Sequence, residues 1–174
     1  MSHEEHRREG PRQVALAVVT ASDTRGEAED ASGAWLRRAA AEAGHPVVAH
    51  AVVKDEPDAI RAALARAAAA GAEAIIVNGG TGIAARDRTY EAVSGLLEKR
   101  LDGFGELFRM LSYGEIGSAA MMSRAVGGVW RGRVVFSVPG STAAVRLAWE
   151  KLIAPELSHL VRELRKDTPA GEHG

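Results

Sequence analysis

The chain has 174 residues, 46% of them hydrophobic, enough to bury one core and pointing to a single domain. Its 22 basic and 23 acidic side chains leave a formal charge of -1, so no electropositive footprint for nucleic acid or an anionic membrane is present. The absence of cysteine excludes disulfide frameworks, thiolate metal sites and cysteine nucleophiles together.

Residues 1–11 and 166–174 are polar and read as disordered tails around one domain at 12–165. The first tail lacks the apolar core of a signal peptide, and runs such as VALAVV at 14–19 are too short to span a bilayer, so a cytoplasmic protein is expected. Residues 13–20 (QVALAVVT) read as a buried strand ended by the turn formers Ser22, Asp23 and Thr24. A helix over 32–43 follows, stopped by Gly44, and then a second strand over 47–53. Residues 57–70 read as a helix opened by a proline and closed by Gly71, with Ile60, Leu64 and Ala68 on one face. The third strand, 74–77, runs into NGGTGIAARDRT.

Thr89 is placed to cap a helix over 90–99, and 104–111 reads as a short helix between glycines. Residues 125–130 and 134–138 read as strands joined through Arg131-Gly132. The last helix spans 141–164, with Val145, Trp149, Leu152 and Leu160 at helical spacing and a kink expected at Pro155. Alternating strands and helices predict a doubly wound α/β fold, whose ligands sit at the carboxyl ends of the strands.

Three polar clusters fall at such ends: TASD at 20–23, KDE at 54–56 and NGGTGIAARD at 78–87. If the strands are parallel, all three face one crevice. Gly79, Gly80 and Gly82 would let backbone N–H groups approach an anion unobstructed, and Thr81 adds a hydroxyl. Arg86, Asp87 and the cap at Thr89 bring a cation, a carboxylate and a helix N-terminus into the same loop, a combination suited to a phosphate and its magnesium. Taken alone, GGTG is equally compatible with a plain turn. A Walker A loop is excluded because no Lys-Ser or Lys-Thr follows the glycines. Gly80, Gly82 and Ala85 satisfy G-x-G-x-x-[GA], but after the third strand and with no evident strand closing the βαβ unit, so a nicotinamide oxidoreductase is a remote reading.

NGGTGIAARDRTYEA resembles the TGGTG...RDxTPEA signature of the MoaB/MogA family of molybdenum cofactor biosynthesis proteins. TASDTRGEAEDASGAWL is similar to the family's opening, VVKDEPDAI to its acidic segment, and FGELFRMLSYGEIGSAAMMSRAVGG with VFSVPGSTAAVRLAWEKL to its later motifs. The EIG, SRA and PGST elements place the resemblance nearer the MoaB branch. Asn78 stands where the family often has threonine, and Tyr90 where it has proline.

The resemblance implies a three-layer α/β/α domain with a mostly parallel sheet that binds molybdopterin as a trimer or hexamer. In active members, Mg-ATP adenylylates the terminal phosphate of the pterin before a molybdenum-insertion protein acts. Carried over residue by residue, it makes Asp55 and Asp87 the catalytic and magnesium-binding pair. It assigns Ser22, Asp23, Gly79, Gly80, Thr81, Gly82, Arg86, Ser123, Arg124, Pro139, Gly140 and Ser141 to substrate binding. A non-catalytic molybdopterin carrier is the second reading. None of the six histidines has metal-site spacing, and Met121, Met122, Trp35, Trp130 and Trp149 read as core or subunit-interface residues.

Overall fold

The computed structural model describes residues 13–166, so the expectations for residues 1–11 and 167–174 lie outside the described residues. Six strands form one sheet: β1 (Leu16–Ala21), β2 (Val47–Val53), β3 (Ala74–Asn78), β4 (Lys99–Arg100), β5 (Val126–Trp130) and β6 (Arg133–Val138), in the order β2-β1-β3-β6-β5-β4. β1 pairs in parallel with β2 and β3, and β3 with β6. β5 pairs antiparallel with β6 and β4, so β5 alone runs against the rest. The register sets Thr20, Asn78 and Val138 side by side, so the loops after β1, β3 and β6 leave the sheet together.

Alternation along the buried strands builds the layers. Leu16, Val18, Ile76, Val134 and Phe136 face one cluster with α1 (Ala31–Glu42), α4 (Asp102–Ile116), α5 (Thr142–Ala148) and α6 (Ala154–Arg165). Ala17, Val19, Ile75, Val77 and Val135 face the other, with α2 (Pro57–Ala69) and α3 (Thr89–Ser94). The result is the expected three-layer α/β/α fold. No described helix is long and apolar enough to cross a membrane.

Three elements depart from the sequence reading. The helix expected over 90–99 ends at Ser94, because Glu98 and Leu101 donate backbone N–H groups to Val129 and Gly127, both at 2.8 Å, and so add β4 to the sheet. The helix expected over 104–111 continues through its flanking glycines as α4. Inside it, Gly105 permits a close approach: a Cβ there would lie 2.7 Å from the Ala125 carbonyl oxygen. The last helix is divided by a π-helical turn at Trp149–Ile153, just before Pro155, which spares the i−4 carbonyl that proline cannot use.

Candidate functional site

The Gly79-Gly80 turn holds the loops together by contact. Gly79 has φ +103° and a Cβ there would strike the Ala21 oxygen at 2.2 Å; Gly80 has φ +62° and its Cβ would lie 2.3 Å from Oδ2 of Asp55. Both positions therefore require glycine. Gly140 packs on the same turn, with a Cβ position 3.1 Å from Gly79 Cα, and the Gly79 N–H donates to the Val138 oxygen at 3.0 Å. The N–H groups of Gly80, Thr81 and Gly82 have no acceptor among the described residues.

Two hollows flank this turn and share Gly80, Asp87, Gly140 and Ser141. One, of about 320 Å³, adds Thr81, Gly82, Ser112, Ser123 and Pro139 to an apolar wall that includes Phe108, Ile116 and Met122. The other, of about 400 Å³, adds Ser22, Asp23, Asp55, Asn78, Gly79 and Arg86. All the site residues expected from sequence line one hollow or the other except Arg124.

Asp55 is buried, and its Oδ1 accepts from the Arg88 N–H at 3.1 Å and the Thr89 hydroxyl at 2.9 Å. Burial pushes its carboxyl above the ordinary aspartate value despite these bonds, and the nearby Asp87 and Asp23 charges add to the rise. Asp87 is half-buried; its Oδ2 accepts from the Ala84 N–H at 3.0 Å and closes the loop on itself. Ser22 accepts from the N–H groups of Thr24 and Arg25, shaping the turn after β1, and Ser141 caps α5 through the Ala144 N–H at 3.1 Å.

The two arginines assigned to substrate have protein partners. Arg86 is engaged by Asp23 and by Glu56, at 2.6 Å, so it laces the three loops together. Its guanidinium holds the Asp23 carboxyl below the usual range. Arg124 donates to the backbone oxygens of Thr81, Gly82 and Asp87 and to the Glu91 carboxylate. A cation is visible in a sequence, but the carboxylate or carbonyl it meets is not.

A buried polar lattice beneath the site was not anticipated. Asn78 donates to Thr20 Oγ1 at 3.0 Å and accepts from Ser32 at 2.9 Å; Thr20 donates to Asp30 at 2.9 Å, and Asp30 caps α1 through the Gly33 N–H. A Cβ at Gly33 would lie 2.1 Å from Asp30 Oδ2. The signal was available in the D-x-S-G spacing of residues 30–33, which puts an N-cap and a close-approach glycine one turn apart.

The sequence profile of a family described as a probable molybdopterin binding domain matches residues 17–159. The molybdenum cofactor biosynthesis protein B of Bacillus subtilis (strain 168) is 54% identical over 169 residues, covering 96% of this chain and 99% of that protein. A crystal structure of a molybdenum cofactor biosynthesis protein B superposes with a TM-score of 0.85 at 52% identity, over 90% of this chain and 99% of the other. The tungsten cofactor synthesizing protein MoaB of Pyrococcus furiosus gives 0.84 at 37%, with the same coverage.

Proposed function

The chain belongs to the molybdopterin-binding domain family of molybdenum cofactor biosynthesis and is similar to MoaB proteins over most of its length, and from that premise we propose that it binds molybdopterin and adenylylates its terminal phosphate with Mg-ATP. The observation that carries this reading is the meeting of free N–H groups at Gly80, Thr81 and Gly82 with the carboxylates of Asp55 and Asp87 in one cleft. N–H groups bind phosphate oxygens, and paired carboxylates suit a cation that travels with them.

In the reaction, an oxygen of the pterin phosphate attacks the α-phosphorus of ATP, a new P–O bond forms, and the bond to pyrophosphate breaks. The attacking oxygen is already anionic, so the protein needs no serine or cysteine nucleophile; it must align two polyanions and balance their charge. The apolar hollow with its hydroxyls suits a flat pterin, and the adjoining turn suits the phosphate. The loops after β1 and β2 border the second hollow, where the nucleotide would lie.

Asp55 and Asp87 fit a magnesium ion. Oδ1 of Asp55 is committed to Arg88 and Thr89, while Oδ2 lies beside Gly80 and Asp87 borders both hollows. Among the described residues no group of three or more His, Asp or Glu could hold a metal alone, so substrate phosphates and water would complete the shell. When bound, the ion neutralises charge building on the phosphate oxygens.

The exposed apolar side chains Met110, Tyr113 and Met121, which line neither hollow, support a homo-oligomer, read as a trimer or hexamer. The product would pass to a metal-insertion protein in the cytoplasm. Incubation with metal-free molybdopterin, ATP and magnesium, followed by mass spectrometry, tests the reading. Magnesium-dependent adenylylated pterin is the expected result; tight pterin binding without product would make the protein a carrier.

A further inference from the structure

We infer that Arg124 is the positioning residue of this cleft: it grips the carbonyl side of the glycine-rich loop and thereby aims the loop's N–H groups and the Asp55 carboxylate at the ligand. The inference rests on the function proposed above for the identity of that ligand.

Arg124 lines neither hollow, although its neighbour Ser123 lines one. Its Nε donates to the Thr81 oxygen at 3.1 Å, and Nη2 to the Gly82 oxygen at 2.5 Å and the Asp87 oxygen at 3.2 Å. Nη1 pairs with Glu91, and the guanidinium carbon lies 4.8 Å from the centre of the Tyr90 ring. One side chain thus ties both ends of the loop to the first turn of α3. A planar fork of N–H donors can do this; a lysine ammonium cannot reach the same set. The backbone on either side of Arg124 is held in turn by Arg109, which donates to the oxygens of Ser123 and Ala125 at 3.4 and 3.2 Å.

The described peptide bonds are all trans, so the carbonyl of one residue and the N–H of the next point in opposite directions. Drawing the Thr81 oxygen toward Arg124 turns the Gly82 N–H away from it. The peptide between Asp87 and Arg88 is held from both sides: its oxygen accepts from Arg124, and its N–H donates to Asp55 Oδ1 at 3.1 Å. A cation on the carbonyl side polarises that peptide and strengthens its N–H as a donor, so Arg124 acts on Asp55 through one peptide plane.

The test compares the full-length wild type with Arg124→Lys and Arg124→Ala by calorimetric titration with metal-free molybdopterin and, without ligand, by amide hydrogen exchange. Both variants are expected to bind the pterin about 10-fold more weakly, from loss of charge-assisted bonds that lysine does not replace. The amides of Ala84, Asp87, Arg88 and Thr89 are expected to exchange about 10-fold faster, while those of β1 stay unchanged. Millimolar guanidinium ion should partly restore affinity to Arg124→Ala where ammonium does not, a response that a merely unfolded variant would not give. Unchanged affinity or unchanged loop exchange in Arg124→Lys overturns the inference. Should the wild-type chain not bind molybdopterin, the proposed function falls, and loop exchange alone then decides for or against the clamp.

Discussion

Asp23 and Arg86 meet through two parallel hydrogen bonds, Nε to Oδ2 at 3.0 Å and Nη2 to Oδ1 at 3.1 Å, although they lie 63 positions apart. Asp23 Oδ1 also accepts from the Asp55 N–H at 3.2 Å, so the pair holds the loop after β1 against those after β2 and β3. The contact is open to solvent, where an ion pair contributes little to stability, and its role is to set loop positions.

Removal of the guanidinium should therefore be legible in Asp23 itself. Its carboxyl titrates below the ordinary value because of the Arg86 bonds first. The stabilising contribution is present above the unfolded value of 3.8 and is lost as pH falls through the lower folded one. In Arg86→Gln the Asp23 titration should move upward, as read by carboxyl NMR. Identical midpoints in the two proteins would show that the pair does not persist in solution.

Alanine at Gly79 and at Gly114 should give effects of opposite sign. Gly79→Ala forces a Cβ to 2.2 Å from a backbone oxygen at φ +103°, and should cost at least about 2 kcal/mol, since backbone can yield little. Gly114→Ala, in exposed α4 with nothing within 4 Å, should stabilise by about 0.5–1 kcal/mol. Chemical denaturation of both variants measures the contrast. Equal effects would mean that the close packing at Gly79 is not present.

These contacts also separate what the sequence disclosed from what it did not. The short apolar run of β1, ended by the turn formers Ser22, Asp23 and Thr24, and the Arg131-Gly132 turn between β5 and β6 follow from local chemistry and are legible in the sequence. β4 is not, because Lys99 and Arg100 are a two-residue exposed edge defined only by their partners on β5. At the site, the positions of Asp55 and Asp87 followed from strand ends. The employment of Arg86 and Arg124 did not, since it depends on which oxygens the tertiary fold places within reach. Glycines in such a loop predict room for an anion, whereas Gly79 and Gly80 make room first for Ala21 and Asp55.

His45 should make the fold sensitive to mild acid. It is buried, its Nδ1 accepts the Val14 N–H at 3.1 Å, and burial lowers its pKa from 6.5. The neutral ring is the form that fits. Below pH 6.5 the unfolded chain takes up a proton that the folded chain resists, so stability is full above that value and declines as pH falls toward the lower folded pKa. Melting temperature should drop between pH 7.5 and 5.5, and His45→Gln should flatten that part of the profile. A wild-type profile no steeper than the variant's would remove His45 as the cause.

Asp87→Asn should separate binding from turnover. Asparagine keeps an oxygen for the Ala84 N–H, so the loop should hold its shape while the negative charge is lost. With the charge serving a magnesium-assisted transfer, turnover should fall about 100-fold or more while pterin affinity changes little. Rates and titrations on the same preparation decide it, and undiminished turnover would remove Asp87 from the catalytic pair.

Asp55→Asn should move stability and activity in opposite directions. The Asp55 carboxyl is buried beside Asp87 and Asp23, and its folded pKa is raised from 3.8. A raised carboxyl contributes stability that is full below the unfolded value and is lost as pH rises through the folded one, so at neutral pH the buried charge opposes folding. Asparagine can keep the oxygen that accepts from Arg88 and Thr89 while removing that charge, and its size leaves the contact with Gly80 unchanged. The ligand-free variant should therefore melt higher than wild type at pH 7, with the difference shrinking toward pH 4, while magnesium-dependent turnover is lost. A variant that melts lower at pH 7 would show that the carboxylate serves the fold itself; one that melts higher and turns over normally would place the metal elsewhere. The expected combination, gain of stability with loss of turnover, identifies a charge kept in the cleft for the ligand at the expense of the fold.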